Sequence, residues 1–185
     1  MLQVEATALP EVRIITPQRF GDHRGFFSET YNRQAFAEAG ITLEFVQDNH
    51  SLSAPVGTLR GLHFQAPPFA QDKLIRVPRG RILDVAVDIR ASSPNLGKFV
   101  AVELSAENWR QMLVPVGFAH GFVTLEPDTE VIYKVSAPYA PEHDRGLAYD
   151  DPAIGIDWGL PAERLTLSDK DRRHPRLAEL PRYFA

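Results

Sequence analysis

The chain has 185 residues, of which 44% are hydrophobic and 24% charged, the composition of one globular domain rather than of a disordered or fibrous protein. Twenty Lys and Arg against twenty-four Asp and Glu give a net charge of −4, with no dense basic stripe, so a nucleic-acid partner is not expected. Cysteine is absent, which removes a disulfide framework, a zinc-thiolate site and a Cys nucleophile together.

The start, Met1-Leu2-Gln3-Val4-Glu5-Ala6, lacks the basic and apolar regions of a signal peptide. No apolar run approaches membrane-spanning length, so the expectation is a soluble, cytoplasmic protein with no membrane partner. Fifteen Pro and twelve Gly, spread along the chain, cut it into short segments. Strand-like runs follow in order at residues 12–16, 26–31, 45–47, 58–64, 73–77, 82–89, 100–104, 111–115, 121–125 and 130–136. Residues 32–39, stopped by Gly40, read as a two-turn helix. After Asp150 the Pro-interrupted text predicts loops and a helical turn that wrap a β core, all within a single domain spanning 1–185. So many short strands in one domain predict a barrel or sandwich.

The densest chemistry lies in Arg60-Gly61-Leu62-His63-Phe64-Gln65, with Lys73 eight residues after Gln65. An imidazole and an ammonium could supply a base and an electrophile to a carbonyl or phosphorylated substrate. The same residues read equally as a half-buried strand His with cations at the rim. Regular alternation would also put Arg60 and His63 on opposite faces unless Gly61 introduces a bulge. His63 and His120 raise the question of a metal, but no His-x-His pair exists and the spacing counts against one. Tyr133 shares a face with Val131 and Val135, as a packed core Tyr or as a proton donor. Phe26 and Phe27 read as core or interface aromatics.

Six separated blocks together resemble the dTDP-4-dehydrorhamnose 3,5-epimerase family. They are Phe20-Gly21-Asp22-His23-Arg24-Gly25-Phe26-Phe27-Ser28-Glu29, Phe45-Val46-Gln47-Asp48-Asn49-His50-Ser51, Leu59-Arg60-Gly61-Leu62-His63-Phe64-Gln65, Val85-Ala86-Val87-Asp88-Ile89-Arg90, Pro115-Val116-Gly117-Phe118-Ala119-His120-Gly121-Phe122 and Leu167-Ser168-Asp169-Lys170-Asp171. The resemblance covers about residues 12–180 and implies a mainly β, cupin-type jelly roll with short peripheral helices, homodimeric, using neither metal nor cofactor. It implies that His63 is the base, Asp171 its acidic partner, Lys73 the cation that meets an enolate oxygen and Tyr133 the proton donor. Contacts to a dTDP-sugar would come from Arg24, Phe26, Glu29, Gln47, Asn49, Arg60, His120, Asp144 and Lys170, with Tyr139 stacked on thymine. Asp144 stands where family members often carry Glu. The reaction implied is inversion of both carbons flanking the 4-keto group of dTDP-4-dehydro-6-deoxy-D-glucose. The competing readings are an epimerase or keto-isomerase acting at one carbon, and a silent sugar-binding cupin.

Overall fold

The computed structural model of the chain describes residues 2–185. Its thirteen strands are β1 (Gln3–Ala6), β2 (Arg13–Thr16), β3 (Phe20–Asp22), β4 (Gly25–Phe27), β5 (Gln47–Ser53), β6 (Leu59–Gln65), β7 (Lys73–Arg79), β8 (Arg81–Asp88), β9 (Phe99–Ser105), β10 (Gln111–Val114), β11 (Phe118–Thr124), β12 (Thr129–Val135) and β13 (Asp144–Gly146). A six-stranded sheet in the order β1-β2-β10-β7-β12-β5 faces a five-stranded sheet in the order β13-β6-β11-β8-β9, and β3 and β4 form a separate hairpin. All the strand pairs are antiparallel. Two antiparallel sheets face to face make the jelly roll expected of a cupin.

Period-two alternation decides what each sheet buries. Between the sheets lie Ile75, Val77, Ile82, Ala86, Met112, Phe118, Phe122 and Val131, with Tyr133 packed against them. The outer face of the five-stranded sheet, including Leu59, Leu62, Val85, Ala119 and Val123, is covered by the tail through Trp158, Leu165 and Phe184. Short 3-10 turns at Ala162–Arg164, Asp171–Arg173 and Leu177–Glu179 punctuate that tail. The outer face of the other sheet is covered in part by α1 (Arg33–Glu38), whose Phe36 packs on Ile15, Leu74 and Leu113. Asn32 caps α1, its Oδ1 accepting from the backbone N–H of Gln34 at 3.0 Å and of Ala35 at 3.2 Å, and Gly40 follows with φ +78°.

Three differences from the sequence expectations have physical reasons. The aromatic run 26–31 ends as a strand at Phe27, because its Phe residues point to solvent in the β3–β4 hairpin: Phe20, Phe26 and Phe27 are 55%, 52% and 66% exposed. The strand expected at 45–47 occupies Gln47–Ser53 instead; its inward positions are Gln47, Asn49 and Ser51, polar residues that leave no apolar alternation to detect. Finally, β1, β3 and β13 carry too few buried residues to signal a strand, and β1 is an edge strand.

Candidate active site

Strands β5 and β13 are edges of the two sheets, and between them opens a cavity of about 480 Å³ reaching His63, Lys73, His120, Tyr133 and Asp171. A second hollow of about 230 Å³ shares His63, Lys73, Tyr133 and Lys170 with it and extends toward Gln47, Asn49, Tyr139 and Asp144. The two form one cleft.

Arg60 and His63 face the same cavity because β6 is bulged. His120 of β11 pairs with His63 and Phe122 with Arg60, so two residues of β6, Gly61 and Leu62, oppose Gly121 alone. Gly61 adopts φ +133°, and a Cβ there would sit 2.6 Å from Gly121 Cα. Only glycine fits, and the extra residue rotates His63 inward while Leu62 stays in the outer core.

His63 Nε2 lies 2.6 Å from Asp171 Oδ1. Asp171, at the start of a 3-10 turn, is held by its own N–H to Ser168 Oγ at 3.1 Å, and its Oδ2 accepts from the Gly61 N–H at 3.4 Å. Burial works to raise the Asp171 pKa, yet the nearby His174 and the hydrogen bond with His63 outweigh it and hold the carboxyl far below the usual range. An anionic Asp171 fixes the His63 tautomer with the proton on Nε2 and the lone pair on Nδ1. Burial lowers the His63 pKa, opposed by Asp171, so the ring is a neutral base near pH 7.

Lys73, 8% exposed, enters from β7, and its Nζ donates to the His63 carbonyl at 3.3 Å. Burial pushes its pKa down to about 8, with Asp144 and Asp84 pulling the other way. His120 Nε2 meets buried Asp84 Oδ1 at 2.7 Å. Tyr133 comes from the inner face of β12, across from Asn49 of β5, and burial raises its pKa. It thus reaches the cleft from the sheet opposite His63.

At the outer end, Tyr139 is 58% exposed; its N–H donates to Gln47 Oε1 at 3.0 Å and its hydroxyl to Asp144 Oδ2 at 3.3 Å. Lys170 pairs with Asp144, and Gln47 donates to Asn49 Oδ1 at 2.8 Å. Arg60 reaches Ser53 Oγ at 3.1 Å and the Leu52 carbonyl at 3.2 Å. Arg24, Phe26 and Glu29 lie elsewhere in the single chain. Arg24 pairs with Asp22, Phe26 packs edge-on against Trp109 at 4.9 Å, and Glu29 accepts from Asn32 at 3.4 Å.

Sequence reasoning missed several contributors. Ser51 lines the cavity with a buried Oγ that has no hydrogen-bond partner among the described residues, and it shares the parity of Gln47 and Asn49. Gln65 builds the support for Tyr139: its Oε1 accepts from Ala140 N–H at 2.7 Å and its amide donates to the Pro138 carbonyl at 3.1 Å. Asp84 was visible as a charge at an inward position between Ile82 and Ala86. Among the described residues, His63, Asp171 and His174 bring their ligating atoms within 4.8 Å of one another, the one such group that could hold a metal ion.

Comparison with known proteins shows the family. Residues 6–179 match the family model described as dTDP-4-dehydrorhamnose 3,5-epimerase. A relative of that name from Sinorhizobium fredii is 54% identical over 180 residues, covering 97% of this chain and 92% of its own length. The crystal structure of dTDP-4-dehydrorhamnose 3,5-epimerase from Bacillus anthracis, with TDP and PPi bound, superposes with a TM-score of 0.91 at 48% identity, covering 95% of this chain and 99% of the other. The dTDP-6-deoxy-D-glucose-3,5-epimerase of Legionella pneumophila, in complex with dTDP-4-keto-L-rhamnose, gives 0.93 at 43% identity and covers 100% of both chains. The fold, the motif blocks and relatives matched along nearly their whole length place this chain in the dTDP-4-dehydrorhamnose 3,5-epimerase family.

Proposed function

We propose that the chain epimerises dTDP-4-dehydro-6-deoxy-D-glucose at both carbons beside its 4-keto group, giving dTDP-4-dehydro-L-rhamnose, with His63 as base and Tyr133 as proton donor. The observation that carries this reading is the single cleft in which an Asp171-paired His63 and a buried Tyr133 come from opposing sheets, with Lys73 beside them. The enzymes at about half identity named above are 3,5-epimerases, which favours two inversions over one.

The chemistry follows from the groups. Neutral His63 removes the proton from a carbon next to the carbonyl; the C–H electrons move into the ring and the carbonyl oxygen becomes an enolate. Asp171 stabilises the imidazolium that forms without taking its proton. The Lys73 ammonium offsets the oxyanion, and in a site shielded from water such a charge counts for far more than in bulk solvent. Tyr133 then delivers a proton to the other face of the same carbon, which inverts it. Repetition at the second carbon needs no new group. Each inversion removes one proton from carbon and returns another, so the reaction is redox-neutral and requires no electron acceptor.

Arg60, His120 and Lys170 supply donors for the sugar and diphosphate oxygens, and Tyr139 an exposed ring for the thymine. Arg24, Phe26 and Glu29 complete the picture only if a second copy brings them. The β3–β4 hairpin pairs only with itself and shows three exposed Phe side chains, which supports a homodimer in which it crosses to the neighbouring cleft. We read residues 1–185 as one catalytic domain, with residues 150–185 part of it because they deliver Asp171 and Lys170. No helix among the described residues is long and apolar enough to cross a membrane, and cytoplasmic residence fits a nucleotide-sugar substrate.

The test is product analysis in deuterated water. Incubated with the keto sugar, the enzyme should yield product inverted and deuterated at both carbons. Deuterium and inversion at one carbon alone would assign the single-site reading, and no exchange would leave a binding protein.

A further inference from the structure

Behind the His63 and Asp171 pair stands a third ring. His174 follows Asp171 by three residues, and its Nε2 lies 3.3 Å from Asp171 Oδ1, the same oxygen that His63 Nε2 meets at 2.6 Å. The His174 side chain is 9% exposed, and its Nε2 is buried without a hydrogen-bond partner among the described residues, its 3.3 Å approach to Asp171 Oδ1 falling short of hydrogen-bond geometry. A polar atom in that position is costly unless the carboxylate accounts for it.

Packing says the same independently. The His174 ring stands edge-on to the His63 ring, with centroids 5.5 Å apart and planes at 85°. On its other side is Gly146 of β13, the register partner of His63, and a Cβ at that glycine would collide with the His174 ring. Gly146 does not occupy the left-handed region, so its lack of a side chain serves the ring and not the backbone.

We propose that His174 is a positioning residue for this reaction, wedged between Gly146 and the His63 ring so that its Nε2–H is aimed at Asp171 Oδ1 and steadies the carboxylate that orients His63. The proposal rests on the epimerase reading. A second N–H aimed at the carboxylate oxygen that His63 already meets lowers its basicity, so once the imidazolium forms its Nε2 proton stays on the ring rather than passing to Asp171. Each donor also shares the charge that would stabilise an imidazolium, which keeps His63 neutral at lower pH. The other charged and titratable groups around this cluster include Lys73 on β7, Arg60 on β6, His120 on β11 with its partner Asp84 on β8, Tyr133 on β12, Asp144 and Arg145 on β13, Lys170 just before the turn and Arg173 on it.

The test titrates the His63 ring by proton NMR in the whole enzyme without substrate, and measures kcat and KM, for the parent, His174→Ala and His174→Gln. Gln places an N–H donor near the position of Nε2. In His174→Ala the His63 titration should move up by about half a pH unit or more, because Asp171 is then free to stabilise the imidazolium. In the same variant kcat should fall about tenfold with KM within about twofold, and Gln should restore both the titration and most of the rate. An unmoved His63 titration would overturn the proposal, whether kcat is unchanged or falls without rescue by Gln, since the latter is what lost packing alone would give. The titration reads the dyad without turnover, so a parent enzyme that fails to epimerise would count against the functional reading and leave this test intact.

Discussion

Removing the Lys73 ammonium reads directly on the enolate. The side chain is 8% exposed and burial takes its pKa from 10.5 to about 8. That fall corresponds to about 3 kcal/mol against keeping the charge in the cleft. At pH 7 roughly nine in ten molecules carry the ammonium, and at pH 9 roughly one in ten. The parent kcat/KM should therefore descend above pH 8 by about tenfold per pH unit. On the acid side it should fall once His63 protonates, at a pH below the ordinary histidine value of 6.5, because burial lowers that pKa. Lys73→Met keeps the apolar stem and removes the charge, so the fold should persist while kcat drops by about two to three decades, the usual cost of losing one oxyanion partner. Its residual activity should show no descending limb near pH 8. The assay is the initial rate of product formation between about pH 5.5 and 9.5. A methionine variant retaining a third or more of the parent rate at pH 7, or the same basic limb, would refute the assignment.

Three further outcomes follow from the geometry. Gly61→Ala should lower stability by about 1–3 kcal/mol in denaturant melts and cut activity further than stability explains, since a Cβ at φ +133° meets Gly121 Cα and flattens the bulge that aims His63. Tyr139→Ala should weaken dTDP binding by about 1–3 kcal/mol in calorimetry, whereas Tyr139→Phe, which keeps the ring, should bind nearly as the parent does. Activity should survive exhaustive chelation but fall on dilution into a monomeric range followed by light scattering; loss on chelation that a divalent ion restores would instead point to His63, Asp171 and His174 as ligands.

Much of this was legible in the sequence because the relevant segments are strands with period-two faces, β8 buried on both and β12 mainly on one. Residues 82–89 alternate as the core of β8 requires, and 130–136 place Tyr133 with Val131 and Val135 on the inner face of β12. The conflict between strand parity and a shared role for Arg60 and His63 was visible too, and its resolution by a bulge at Gly61 needed the glycine that the sequence carries. What stayed hidden is of two kinds. Strand β5 turns polar residues inward, so a functional lining erases the apolar signal by which strands are found. The other kind is long-range: Asp171 meets His63 across 108 positions of chain, and His174 and Gly146 fit one another only after the tail and β13 have both docked on β6. Local pattern carries no information about such pairs, and the resemblance supplied Asp171 but not His174.

The division of labour between the two faces of the sugar ring is tested most directly by following hydrogen exchange and inversion separately in deuterated water, in His63→Asn and Tyr133→Phe. The account predicts that His63→Asn slows exchange at both carbons by roughly two to four decades. Tyr133→Phe should still exchange hydrogen while inversion is impaired, because Phe keeps the ring and deletes only the donor. Exchange at the parent rate in His63→Asn, or inversion at the parent rate in Tyr133→Phe, would contradict it.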